Sequence, residues 1–282
     1  MSLRSGIALA ALLAAAHATA TEYVVGAGFG ADDASGRSVA ALLDVAVTET
    51  TFLTFTAAAN EGDTLTDSIE TQAYTVGVTQ EFGIVTGRLS VGTWGDDDFV
   101  DSTDYRGGLS VAAGDFRFGV DAEHRDIDLT LRVDGGAILP GREFTFDLAA
   151  DGIGATLRYR NEDGFSIGLR GMSWDYDRNI AGAGSIDRVR RINPSTLSIA
   201  GALRESSLTG SIEWPVGEHL IGVELGRDTL EIGGLDVDSA TVLWTLPAGK
   251  RTDLELSLGY SEADGSDGAY FANVFVYFFG GD

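Results

Sequence analysis

Few residues in this chain could carry covalent chemistry, and many could carry electrostatic chemistry. There is no cysteine and only three histidines, so thiol nucleophiles, disulfides and His/Cys metal sites have no material to work with. His17 lies in the first twenty residues, which leaves His124 and His219. No G-x-S-x-G occurs and no His spacing suits a zinc ligand set. The chain reads as a non-enzyme with no cofactor. The densest acidic run is Asp96, Asp97, Asp98, Asp101 and Asp104. Clustered carboxylates are hard oxygen ligands suited to calcium or magnesium, but this spacing matches no EF-hand loop, and a solvated surface loop explains the run as well.

The arginines are the more telling set. Arg88, Arg106, Arg117, Arg158, Arg160 and Arg170 each sit out of phase with an apolar alternation, as at Val85, Leu89 and Val91 around Arg88. Asp44, Asp121, Glu123, Glu224, Asp253 and Glu255 do the same. A strand turns successive side chains to opposite faces, so these twelve residues belong to the polar face wherever their segments are strands.

The segments do read as strands. Stretches of about ten residues alternate apolar and polar from Glu22 to Phe279, separated by turns rich in Gly, Asp and Asn. Tyr23, Val25, Ala27 and Phe29 share one parity, as do Leu254, Leu256, Leu258 and Tyr260. Thirty-eight glycines and four prolines suit closely packed, bent strands. The reading is all-β: about fourteen antiparallel strands, within a range of 12–16. Short connections alternate strictly with longer, often acidic ones. Three segments, 115–133, 142–160 and 195–214, look too long, and the apolar parity flips within each. A bulge in a projecting strand, or a tight hairpin, would produce such a flip.

Two placements of the apolar face are open. A soluble sandwich hides it inside, and a membrane barrel turns it to lipid and keeps the polar face within. The N-terminus favours the second. Arg4, the apolar run Ile7 to Ala16 and Ala18-Thr19-Ala20 make residues 1–20 a signal peptide, leaving 21–282 as a single barrel domain. A closed barrel also needs no disulfide, since its backbone hydrogen bonds are completed around the ring. Trp94, Trp174, Trp214 and Trp244 lie near strand ends, where interfacial girdle residues belong. Nineteen basic residues against 43 acidic ones exclude nucleic acid as a partner.

The last strand reads Tyr270 to Phe279, with Phe275, Tyr277 and Phe279 on one parity and Gly280-Gly281-Asp282 after it. Here the chain resembles Gram-negative outer-membrane β-barrels of the porin type. The resemblance implies a barrel-assembly signal at Phe275, Tyr277 and Phe279. It also implies a bacterial outer-membrane location, short periplasmic turns, longer extracellular loops, and lipid, lipopolysaccharide and the barrel-assembly machinery as partners. The oligomeric state is left open.

The six arginines fall on consecutive strands, the fifth to the ninth, while Asp44, Glu224, Asp253 and Glu255 come from the second, eleventh and thirteenth. A closed ring then has a basic wall opposite a more acidic one, interrupted by Asp121 and Glu123. Opposed charged walls suit a pore that passes small hydrophilic solutes or ions by diffusion. The same charges could instead pair and plug a narrow barrel, giving a structural or adhesive protein that acts through its acidic outer loops. Fourteen strands enclose more space than side chains fill, which favours the pore. Arg188, Arg190 and Arg191 in the long 177–194 connection could meet lipopolysaccharide phosphates, narrow a pore, or simply be solvated.

Overall fold

The computed structural model describes residues 22–63, 68–96, 100–133, 142–178, 203–231, 234–265 and 267–281. The signal segment, Asp97, Asp98, Arg188, Arg190 and Arg191 lie outside the described residues. The chain forms fourteen strands: β1 Glu22–Asp32, β2 Arg37–Thr48, β3 Thr51–Asp63, β4 Ser68–Phe82, β5 Val85–Asp96, β6 Val100–Ala113 and β7 Phe116–Val133, then β8 Arg142–Arg160, β9 Ser166–Tyr176, β10 Arg204–Val216, β11 His219–Leu230, β12 Asp236–Gly249, β13 Thr252–Ala263 and β14 Ala269–Gly281. Each strand pairs antiparallel with its neighbours in sequence, and β1 pairs with β14 from Glu22↔Gly281 to Asp32↔Phe271. The barrel is closed, so no edge strand is left with unpaired backbone groups.

The outer wall is apolar through its middle. Leu89, Val91, Leu109, Phe118, Val120, Leu157, Leu169, Leu225 and Leu258 are all exposed there. At Leu258 and Leu89 two thirds of the surface is open, 66% and 65%. A soluble sandwich would hide these side chains, whereas a membrane barrel offers them to lipid.

The short connections sit at one end. Gly83, Gly114 and Gly217 each open a two-residue turn with φ of 66°, 60° and 66°. Tight hairpin turns need that left-handed backbone, which costs glycine little. Aromatic side chains collect on the outside near this end. Phe116 meets Tyr159 at 5.1 Å between ring centroids, and His219 meets Trp244 at 5.8 Å. Tyr260 and Tyr270, 4.9 Å apart, mark the other end. Two aromatic bands on one outer wall are the interfacial girdles of a membrane barrel.

The three parity flips have different causes. The β7–β8 ladder runs without a break from Phe116↔Tyr159 to Val133↔Arg142, so those segments hold neither bulge nor hairpin. Side-chain direction never changes there; the surroundings do. Phe116, Phe118 and Val120 share the outer face with His124, Asp126 and Asp128, because the strand leaves the apolar band and meets water. On the inner face the trend reverses, and Ile127, Leu129, Leu148 and Ala150 are buried. In β10 the flip at Glu205 is a true irregularity, with a register shift between Arg204 and Ser206.

Candidate functional site

Rung partners in a ladder project to the same face, so the register assigns the inner wall. All twelve charged residues expected on the polar face lie on it. Their surroundings divide them into two groups.

The first group is a buried ionic network in the half of the barrel remote from the short turns. Asp104 and Glu123 both accept from Arg106 at 2.9 Å, and Glu123 also accepts from Arg125 at 2.8 Å. Ser102 donates to Asp104 at 2.7 Å, and the Trp174 Nε1–H donates to Glu123 at 3.2 Å. The Arg125 guanidinium lies 4.6 Å over the Trp174 ring. Beside it, Tyr176 donates to the Arg204 carbonyl at 2.9 Å and Arg204 pairs with Asp228 at 3.3 Å. The Glu123 and Arg125 side chains retain only 3% and 5% of their exposure. Buried charges need partners of this quality, because desolvation otherwise outweighs their attraction.

This network corrects three expectations. Glu123 is on the inner wall but sealed from the lumen by its partners. Trp174 is 6% exposed and serves as a donor and cation–π surface inside, not as a girdle residue. Trp94 shares the inner-facing parity of buried Thr86, which leaves Trp214 and Trp244 as the outward pair. The aspartate run is also divided. Asp101 faces outward on the rung with Asp128, and Asp104 faces inward. No group of three ligating side chains suited to a metal occurs among the described residues.

Arg125, Tyr176, Arg204, Glu213 and Asp228 were missed by the sequence reading. Arg125 was legible, since it shares the parity of Asp121 and Glu123. Arg204 was not, because it precedes the bulge that reverses the parity.

The second group lies toward the short turns and is more exposed. Arg88, Arg117, Arg158, Arg160 and Arg170 are exposed on the inner wall. Arg117 and Arg158 are rung partners, two like charges side by side. Arg158 reaches Glu213 at 2.7 Å, which also accepts from Ser166 at 2.8 Å. No ion pair is recorded for Arg88, Arg117, Arg160 or Arg170 among the described residues. Around the ring, β2, β11 and β13 bring Asp44, Glu224, Asp253 and Glu255 to the inner face. Asp44 accepts from Thr54 at 2.5 Å, and Asp121, under Thr156 at 3.4 Å, is the one acid of this level within the basic arc.

The inner face of β14 is aromatic. Phe271, Phe275, Tyr277 and Phe279 lie on it, and Phe275 meets Tyr277 at 4.7 Å. The expected assembly-signal residues therefore point inward, while Val274 and Phe278 face out.

Among the described residues, His124 is the histidine with acidic partners. It is on the outer wall, with Nδ1 2.7 Å from Asp151 and Nε2 3.4 Å from Asp126. Both nitrogens of this exposed ring thus lie beside carboxylates.

No protein-family model matches the chain, and no curated protein matches it in sequence. Solved structures do match. A loop-deletion form of OmpT, an outer membrane protein of Vibrio cholerae, aligns with a TM-score of 0.51 at 8% identity, over 92% of this chain and 98% of that one. Outer-membrane expressed OmpT of Vibrio cholerae aligns at 0.50 and 9%, over 92% and 97%. A KdgM porin aligns at 0.46 and 10%, over 90% and 98%. At such identities the likeness is one of fold. The chain has the fold of an outer-membrane β-barrel, with a closed ring and an apolar outer wall suited to lipid.

Proposed function

We propose that the barrel, formed by residues 21–282 after loss of a signal peptide over 1–20, is a channel for passive diffusion of small hydrophilic solutes or ions. It acts by size exclusion and by the charge of its inner wall, without catalysis and without a cofactor. One observation carries the reading: Arg117 and Arg158 share a rung on the inner face, with exposed Arg88, Arg160 and Arg170 on the same arc. Like charges directly opposite destabilise a ladder. Dry, they would need a counter-ion for each. They are tolerable where water screens them, which argues for a hydrated lumen at this level. Carboxylates on the far arc then set up a transverse field that orients polar solutes.

A plugged, non-conducting barrel that works through its outer loops is the second reading. It is supported by the buried network of Glu123 and Arg125 and by the buried inner residues Val100, Ile127 and Leu148. Conductance of the refolded protein in a planar bilayer separates the two. Discrete current steps are expected, and a persistently silent bilayer would favour the plug. Lipid and lipopolysaccharide around the outer wall, and the assembly machinery at Phe275, Tyr277 and Phe279, complete the proposed partners.

A further inference from the structure

The outer wall is not evenly filled. On β5 to β8 one rung within the apolar band reads Leu89, Gly107, Ala122 and Ile153. Leu89 and Ile153 stand out from the wall, 65% and 73% exposed, and the two residues between them are a glycine and an alanine. They leave a groove of about 830 Å³, bordered on the side remote from the short turns by Val91, Tyr105 and His124. Packing does not demand the glycine. A Cβ at Gly107 would meet only Leu89, at 3.5 Å, an ordinary contact. Glycine inside a strand weakens it and often marks a place where a ligand approaches closely. On a lipid-facing wall this floor is open to an acyl chain.

Farther from the short turns the same face becomes acidic. The next rung carries Tyr105, His124, Asp151 and Asp175 across β6 to β9. Beyond it come Thr103, Asp126 and Ala149, then Asp101, Asp128 and Asp147. Over these three rungs His124 is the one basic side chain, and Asp151 and Asp126 already lie beside it at 2.7 and 3.4 Å. Asp128 with Asp147, and Asp151 with Asp175, are exposed like charges directly opposite, an arrangement that destabilises a ladder. A second hollow of about 510 Å³ takes in Asp126 and Asp128 together with Gln72 and Thr103. An apolar groove thus gives way to a polar hollow lined by carboxylates. A phosphate head lying there is repelled. A head that carries ammonium groups is attracted, and it relieves the crowding of the aspartates.

Resting on the lipid-facing outer wall and not on conduction through the lumen, we propose that this face of β5 to β8 docks an acyl lipid with a positively charged, amine-bearing head. The chain lies over Gly107 and Ala122, between Leu89 and Ile153. The ammonium groups meet Asp126, Asp128 and Asp147.

The test uses protein refolded in a non-ionic detergent and native mass spectrometry, which counts the lipids bound to each barrel. The probe is lysine hexadecylamide, a single alkyl chain with two ammonium groups. Hexadecyl phosphate carries the same chain under an anion, and lysine methylamide carries the head without the chain. A single bound lysine hexadecylamide is expected at concentrations where neither comparison binds. Gly107→Leu fills the floor of the groove and should weaken binding roughly tenfold, the worth of about two methylenes. Asp128→Asn combined with Asp147→Asn should weaken it roughly 3- to 10-fold at low salt. Ala122→Leu gives the groove reading should Gly107→Leu fold poorly, and heat-dependent gel mobility shows which variants have closed. Equal or tighter binding of hexadecyl phosphate overturns the amine head. Equal binding of lysine methylamide, or unchanged binding in both groove variants, overturns the groove and with it the proposal. Conductance of Gly107→Leu in a planar bilayer should match the wild type, so loss of lipid binding leaves the channel reading standing. A silent bilayer ends the channel reading and leaves the lipid site standing.

Discussion

At the scale of the residue, position in the barrel decides what a charge is worth. Glu123 receives hydrogen bonds from Arg106, Arg125 and Trp174 while nearly fully buried. Its replacement by Ala strands the buried Arg125 guanidinium, whereas Arg106 is half exposed and keeps Asp104. Breaking a buried pair from one side costs roughly 3–5 kcal/mol. Glu224→Ala, on the exposed inner wall, should stay within about 0.5 kcal/mol. Denaturant unfolding in lipid vesicles, followed by tryptophan fluorescence, compares the two. Similar midpoints would contradict the buried network. The sequence could not make this distinction. Alternation gives the face of a side chain but not its depth, so Glu123 and Glu224 looked alike. For the same reason Trp174 passed for a girdle residue: proximity to a strand end says nothing about which wall the ring is on.

At the scale of the element, each strand is a ruler laid across two boundaries. One separates lipid from lumen and alternates with every residue. The other separates membrane from water and is crossed once per strand end. Sequence alternation reveals the first clearly, and for that reason the count of fourteen and the order of short and long connections were legible. The second is legible only as a flip in parity, which a bulge also produces. In β7 and β8 the flip records a strand leaving the membrane, and in β10 it records a bulge. Neighbouring positions in β13 test the first boundary. Leu256 faces lipid, and Arg at this site should cost roughly 2–4 kcal/mol near the midplane. Ser257 faces inward, but it is only 8% exposed and accepts the Asn273 amide. Ser257→Ala should therefore cost about 1 kcal/mol, the net worth of one hydrogen bond. Unfolding of both variants in vesicles gives the comparison. Equal losses at the two positions would mean that the faces are misassigned.

At the scale of the whole molecule, closure is what turns local patterns into a transverse field. Each strand alone shows a charge or two, and only the ring order sets β5 to β9 against the arc from β11 through β14 to β2. Closure also predicts resistance to unfolding. The folded protein should need detergent and should migrate differently on gels in unheated and boiled samples. A monodisperse form without detergent would be incompatible with the exposed outer wall. The field makes its own prediction. Arg88 and Arg170 are exposed on the inner face and form no ion pair among the described residues. Replacing both with Glu removes two positive charges from the basic arc and adds two negative ones. Low-dielectric walls focus the field of such groups, so their effect exceeds that of the same charges on an open surface. Permeability should shift toward cations. The shift should be largest at low ionic strength, since the screening length grows from about 10 Å at 0.1 M to about 30 Å at 0.01 M salt. Reversal potentials under a salt gradient measure it directly. A double variant that conducts with the wild-type reversal potential would mean that ions pass out of reach of these arginines, and the basic arc would then have no part in selection.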